Sequence, residues 1–213
     1  MPDLAKELAA CKLPRTEPKH FNANAKVPFG CTTQQMRAAM EEFLDFLEFV
    51  NTQLNSRSIP RLETFLMPAN FSSIVGEFMS ITIPKHCTGL VKNQYHNGHP
   101  DLLPRGVYPG DSVLHANQGI EIKASRYGKS WQGHNAEDAW LMVFVFEANR
   151  ARDDGKGDPP IPFRFQKVVG AQLKKADWKF SGRSRGSRRT ITASVTPSGY
   201  AKMEANWIYR LPE

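Results

Sequence analysis

The stretch Gly119-Ile120-Glu121-Ile122-Lys123-Ala124 constrains this chain more than any other. A strand alternates its side chains with period two, so Ile120, Ile122 and Ala124 share one face while Glu121 and Lys123 share the other. The first face calls for a core and the second for solvent or a polar cleft. Asp101 follows Pro100 twenty positions before Glu121, which is enough chain for one strand, a turn and the next strand. A hairpin over residues 100–125 therefore carries Asp101, stiffened by its proline, towards the pocket that Glu121 and Lys123 face.

Two carboxylates and an amine in this relation suit phosphodiester hydrolysis. That reaction needs an activated water and neutralisation of charge around phosphorus, and a hard divalent cation held by carboxylates provides both. On this reading Asp101 and Glu121 are ligands, with the backbone carbonyl at Ile122 as a further one. Lys123 orients or deprotonates the attacking water, or stabilises charge on the phosphate oxygens. The plain alternative is a surface hairpin with a solvated Glu-x-Lys pair.

The residues Pro100, Asp101, Glu121 and Lys123 together resemble the PD-(D/E)xK nuclease superfamily, whose best-known members are type II restriction endonucleases. The resemblance covers the central third of the chain. It implies an α/β fold with a restriction-endonuclease-like mixed sheet flanked by helices, Mg2+ as cofactor with Mn2+ able to substitute, and double-stranded DNA as substrate. It also implies a homodimer in which each copy cuts one strand of a short site. Restriction enzymes often complete the site with an acid on the preceding helix, which here is Glu77. Asp111 competes with Asp101 for the first ligand position, although it lacks the adjacent proline and lies only ten residues before Glu121.

Charge supports a polyanionic partner. The net charge is +7, and residues 164–210 carry eleven Lys and Arg against two acids, leaving the rest of the chain at −2. A basic C-terminal region beside an acidic metal site fits a nuclease. Within that region Arg183, Arg185, Arg188 and Arg189 alternate with glycine and serine, which suits phosphate contacts; the bland reading is a solvated loop. The loop after the motif offers Ser125, Arg126, Lys129, Ser130, Gln132, His134 and Asn135 to phosphates or base edges. Its structural alternative has Trp131 plugging the core and Asn135 capping a helix. His96, His99 and His134 allow a histidine-based nuclease, and Cys87 with His96 and His99 a zinc site, but neither spacing matches a usual ligand framework.

At 213 residues the chain is long enough for one sizeable core. Residues 1–30, broken by Pro14, Pro18 and Pro28, read as an N-terminal arm, and 31–213 as a single nuclease domain. Met36, Ala39, Met40, Phe43, Leu44, Leu47, Val50 and Leu54 mark a helix opened by a Thr32-x-x-Gln35 capping box. Residues 56–68 read as a loop, and Asn70-Phe71-Ser72-Ser73 opens a second helix through Ile74, Val75, Phe78 and Met79. Runs 140–146, 163–173 and 190–195 read as strands, and Thr196-Pro197 opens a short final helix. Three widely spaced cysteines argue for reduced thiols rather than a disulfide framework. No apolar run approaches the ~20 residues of a membrane span and residues 1–12 lack a secretory layout, so the expectation is a cytoplasmic protein.

Overall fold

The computed structural model describes residues 4–129, 131–133, 136, 138–150, 159–180 and 192–212. Its centre is a six-stranded mixed sheet. Strands β1 (Leu90–Lys92), β2 (Leu102–Pro104), β3 (Ile120–Ser125), β5 (Ala139–Glu147), β6 (Arg164–Leu173) and β9 (Trp207–Arg210) lie side by side in that order. All neighbours are antiparallel except β3 and β5, which run parallel in register from Ile120↔Trp140 to Ser125↔Val145. Three shorter strands, β4 (Gln132–Gly133), β7 (Trp178–Phe180) and β8 (Ala193–Val195), form a separate small sheet.

Strand β5 is apolar up to Phe146 because both of its faces are covered. Met142, Phe144 and Phe146 enter the larger core cluster with Ile120, Ile122, Phe163, Phe165 and Val168. Leu141, Val143 and Val145 point the other way, to Trp131, Val169, Leu173 and Met203. The larger cluster is roofed by α2 (Thr33–Asn55) and α4 (Pro68–His86), which supply Met36, Met40, Phe43, Leu47, Phe71, Val75 and Met79. The smaller cluster is closed by α5 (Pro197–Ala205), capped by the Thr196 side chain.

Helix α2 starts where the sequence places it. Thr32 Oγ1 accepts from the Gln35 amide at 3.2 Å, and the Gln35 side chain accepts from the Thr32 amide at 2.8 Å. Three expectations change. The expected loop 56–68 contains a helical turn, α3 (Leu62–Phe65), and α4 runs on to His86, past the expected Asn70–Met79 stretch. Residues 4–30 are no loose arm: helix α1 (Leu4–Cys11) is followed by a segment that buries Leu13 and runs along α2 and β9. The prolines break that segment into short pieces, but α2 satisfies its polar groups. Glu48 accepts from the Leu13 amide, Glu41 from the Thr16 amide, and Ile208 accepts from Asn22 at the sheet edge.

Arg61 joins these parts. It is 1% exposed, and its guanidinium donates to Glu7 at 2.9 Å, Glu63 at 2.7 Å, the Ile161 carbonyl at 2.9 Å and Asn149 at 2.8 Å. Asn51 on α2 binds the other oxygen of Glu63 and accepts from the Leu62 amide. One guanidinium thus links α1, α2, α3 and the end of β5, a role that its planar fork of donors suits. Replacing Arg61 by Leu leaves the fully buried Glu63 without its counter-charge. Urea denaturation should show a loss of about 3–5 kcal/mol, and a loss below about 1 kcal/mol would mean that the network adds nothing to the fold.

Candidate active site

The site begins where two strands part. β2 and β3 share one paired position, Leu102↔Ile120, with residues 105–119 between the strands. Opposed residues of an antiparallel pair share a face, so Asp101 and Glu121, one step beyond that pair, are directed to the same side. There the backbone ladder ends, and Asp101 Oδ2 instead accepts the Ile122 amide at 2.7 Å. A strand residue presents its N–H and C=O along one edge, so the Ile122 carbonyl also faces this gap.

Glu121 is 7% exposed. Its Oε1 accepts from Lys123 Nζ at 2.5 Å and its Oε2 lies 3.4 Å from His99 Nδ1. The His99 ring stacks on His115, with centroids 6.2 Å apart. Gly119, at φ +143°, allows the close approach that opens β3: a Cβ there would lie 2.2 Å from the Leu102 carbonyl oxygen. Asn93 holds the chain that delivers Asp101. Its side chain donates to the carbonyls of Pro100 and Val113 and accepts from the amides of Tyr95 and Val113, while its own amide donates to the Asp101 carbonyl.

A cleft of about 980 Å3 runs along the free edge of β3, and Asp101, Glu121, Ile122 and Lys123 all line it. Glu77 reaches it from α4, more exposed and paired with Lys92 at 2.8 Å. His96, His99, Tyr95 and Asn93 also line the cleft. Sequence reasoning gave no role to Asn93, Lys92 or Tyr95, and read His99 only as an alternative base or zinc ligand. The one available signal was the position of His99 beside Pro100-Asp101.

Other candidates sort by position. Asp111 stays with its own turn, where its carboxylate accepts the Gly106 amide at 2.9 Å, so Asp101 holds the acidic position opposite Glu121. Cys87 is buried in the core with its thiol donating to the Phe29 carbonyl, away from the cleft that His96 and His99 line, so no zinc set forms from the three. Arg126 turns inward. It donates to the Ala148 and Glu63 carbonyls and lies over the rings of Phe71 and Phe146, which ties it to the packing. Ser125 accepts the Tyr127 amide, while Lys129 and Gln132 are exposed. Trp131 is buried in the smaller core cluster. Ser130, His134, Asn135, Arg183, Arg185, Arg188 and Arg189 lie outside the described residues.

The basic C-terminal charge is partly neutralised within the protein. Arg164 pairs with Glu147, Lys167 and Arg210 with Glu204, Lys174 with Asp138, and Lys202 with Asp177.

The two site carboxylates are electrostatically opposed. Burial and the charge of Glu121 push Asp101 up to about 7, against the lowering effect of the Ile122 amide and Lys123. Burial also disfavours the Glu121 charge, but the bonds from His99 and Lys123 outweigh it and hold Glu121 below the ordinary carboxylate range. Two hard oxygen donors beside a carbonyl fit Mg2+, which binds through one or two carboxylates and keeps several waters. Among the described residues no group of three or more His, Cys, Asp and Glu side chains forms a metal cage. Comparisons with protein-family models, curated proteins and solved structures find no match. Among the described residues no helix is long and apolar enough to cross a membrane.

Because the native state raises the Asp101 value, it holds a proton that the unfolded chain releases. Stability of the metal-free protein is therefore lost as pH rises from the ordinary carboxylate range through about 7. Asp101→Asn keeps an acceptor for the Ile122 amide and removes the charge. It should raise the thermal midpoint by a few degrees at pH ~8 and give no gain at pH ~3.5. Equal midpoints at the higher pH would show that neither burial nor Glu121 disfavours the Asp101 charge.

Proposed function

We propose that this protein is a Mg2+-dependent endonuclease that hydrolyses phosphodiester bonds of double-stranded DNA. At the finer level we read it as a type II restriction endonuclease with a restriction-endonuclease-like fold, acting as a homodimer on a short specific site. The supporting observation is the convergence of Asp101, Glu121 and Lys123 in one cleft at the β2/β3 fork, with Glu77 at its rim. The order of residues in the sequence and their meeting in space agree, and a solvated surface hairpin would not bury Glu121.

Asp101, Glu121 and the Ile122 carbonyl would hold the cation. When bound, Mg2+ neutralises phosphate charge and acidifies water, with Mn2+ able to take its place. Lys123, beside Glu121, carries an ammonium that orients the attacking water or donates to a phosphate oxygen as charge develops there. The water oxygen would bond to phosphorus and give up its proton to solvent as the bond to the leaving sugar oxygen breaks, and that oxygen would take up a proton from solvent. Glu77 sits where it can accept from a water at the cleft mouth. His99 holds the second oxygen of Glu121 and so fixes the orientation of that carboxylate.

Supercoiled and linear DNA of mixed sequence incubated with protein and Mg2+ should be cut. Lys123→Ala and Glu121→Gln should each lower the rate by about 10²–10⁴-fold while retaining DNA binding. Discrete fragments support the restriction reading, whereas nicking or cutting at junctions without sequence preference moves the site to a repair, phage or structure-specific nuclease. A wild type that binds DNA yet never cuts it with Mg2+ or Mn2+ makes the chain a non-catalytic binding protein and sinks the proposal.

A further inference from the structure

A second cavity, of about 240 Å3, lies against the catalytic cleft, and Ser72 and Ala124 line both. The two differ in charge. The cleft carries the carboxylates Asp101, Glu121 and Glu77 together with Lys92 and Lys123, whereas the second cavity is lined by Ser72, Ser125, Arg126, Tyr127 and Arg150 beside Pro68 and Ala69, with no carboxylate among the described residues.

Tyr127 is 65% exposed, although its backbone is held on both sides. Its amide donates to Ser125 Oγ at 3.0 Å, and its carbonyl accepts from Trp131 Nε1 at 2.8 Å. Trp131 is anchored in the smaller core, with its ring 5.2 Å from that of Tyr200. An exposed aromatic ring on a fixed backbone gives up little freedom when a flat partner stacks on it. Arg126, clamped by carbonyls and two phenylalanine rings, adds a fixed positive charge. The cavity falls below the ~300–1,000 Å3 of drug-sized pockets and is large enough for one planar group.

We propose that this cavity is a subsite for one nucleotide of the DNA strand beside the scissile phosphate, with its base stacked on Tyr127 and its phosphate facing Arg150 and the serine hydroxyls. An aromatic platform, the Arg150 guanidinium with the positive charge of Arg126 behind it, and hydroxyl donors match that ligand class. Its position matches too, since Tyr127 stands four residues after Lys123 on the continuation of β3. The identity of the strand rests on the nuclease reading above, while the nucleotide chemistry of the cavity stands on its own lining.

The test uses short DNA duplexes carrying 2-aminopurine at one position at a time, with wild type, Tyr127→Phe and Tyr127→Ala. Binding is measured by fluorescence anisotropy without divalent cation, and cleavage with Mg2+ in parallel. One reporter position should change its emission on binding wild type and Tyr127→Phe. Tyr127→Ala should lose that change and bind about tenfold more weakly, the effect of one lost stack. Its substitution is at an exposed ring, and an unchanged thermal midpoint checks its fold. Wild-type emission and affinity in Tyr127→Ala overturn the subsite, and if wild type still cuts, the nuclease reading survives alone. A wild type that stacks the reporter without ever cutting removes the nuclease reading and leaves the nucleotide site, and one that neither binds nor cuts DNA overturns both.

Discussion

The bond from the Ile122 amide to Asp101 Oδ2 holds the site together. Where β2 leaves β3, the amides on the β3 edge lose their strand partner, and a buried amide without an acceptor costs about 1–3 kcal/mol. Asp101 supplies the acceptor at that point. The same bond fixes the carboxylate opposite Glu121 and keeps the gap from closing into an ordinary ladder. Because two carboxylates then sit together under partial burial, Asp101 is driven towards its neutral form while Lys123 and His99 keep Glu121 charged. A fold selected for stability alone has no reason to place this pair there; a site for a divalent cation does.

The surrounding structure keeps the fork open. Asn93 uses its side-chain amide to tie Pro100, Val113 and Tyr95 together, so the segment entering β2 has little freedom. Gly119 admits the Leu102 carbonyl at a distance that any side chain would forbid. Behind β3, Ile120 and Ile122 are locked into the larger core beneath α2 and α4, and the parallel pairing to β5 fixes the strand over its whole length. Glu121 and Lys123 thus project from a rigid strand, which positions a reacting group better than a loop does.

Much of this was legible in the sequence because it follows from periodicity. The α2 stripe and its capping box, the alternation in β3 and the unbroken apolar run of β5 are each set by local spacing, and all are found. What escaped depends on long-range partners. β1 and β9 are only three and four residues long, too short for a pattern to stand out. The segment with Pro14, Pro18 and Pro28 looks like an arm until the acids of α2 are seen to satisfy it. Arg126 reads as a DNA contact from its position in a glycine-containing loop, while only the fold reveals Phe71 and Phe146 beneath it. Asp101 and Asp111 are near-equivalent candidates in sequence, and what separates them is that Asp111 caps its own turn. A count along the sequence also misses that Arg164 and Lys174 are paired with Glu147 and Asp138, acids that lie outside the basic region.

The division of charge around Ser72 and Ala124 bears on how a polyanion could enter an acidic cleft. On the proposed reading, Glu121 and Glu77 are each paired with a lysine and Asp101 is held towards its neutral form, so the cation-free cleft would offer a phosphate little net attraction and neighbouring groups would have to supply it. Arg126 and Arg150 lie beyond the shared wall, close enough that a strand lying across both cavities meets positive charge on one side and the cation site on the other. A cation held there would act twice: it would relieve the repulsion between Asp101 and Glu121, and it would draw the scissile phosphate in. With the cation absent, the strand would be held mainly by the arginine side and by stacking. On that reading DNA affinity and metal affinity would be coupled through the same two carboxylates, and by reciprocity DNA should tighten cation binding as much as the cation tightens DNA binding.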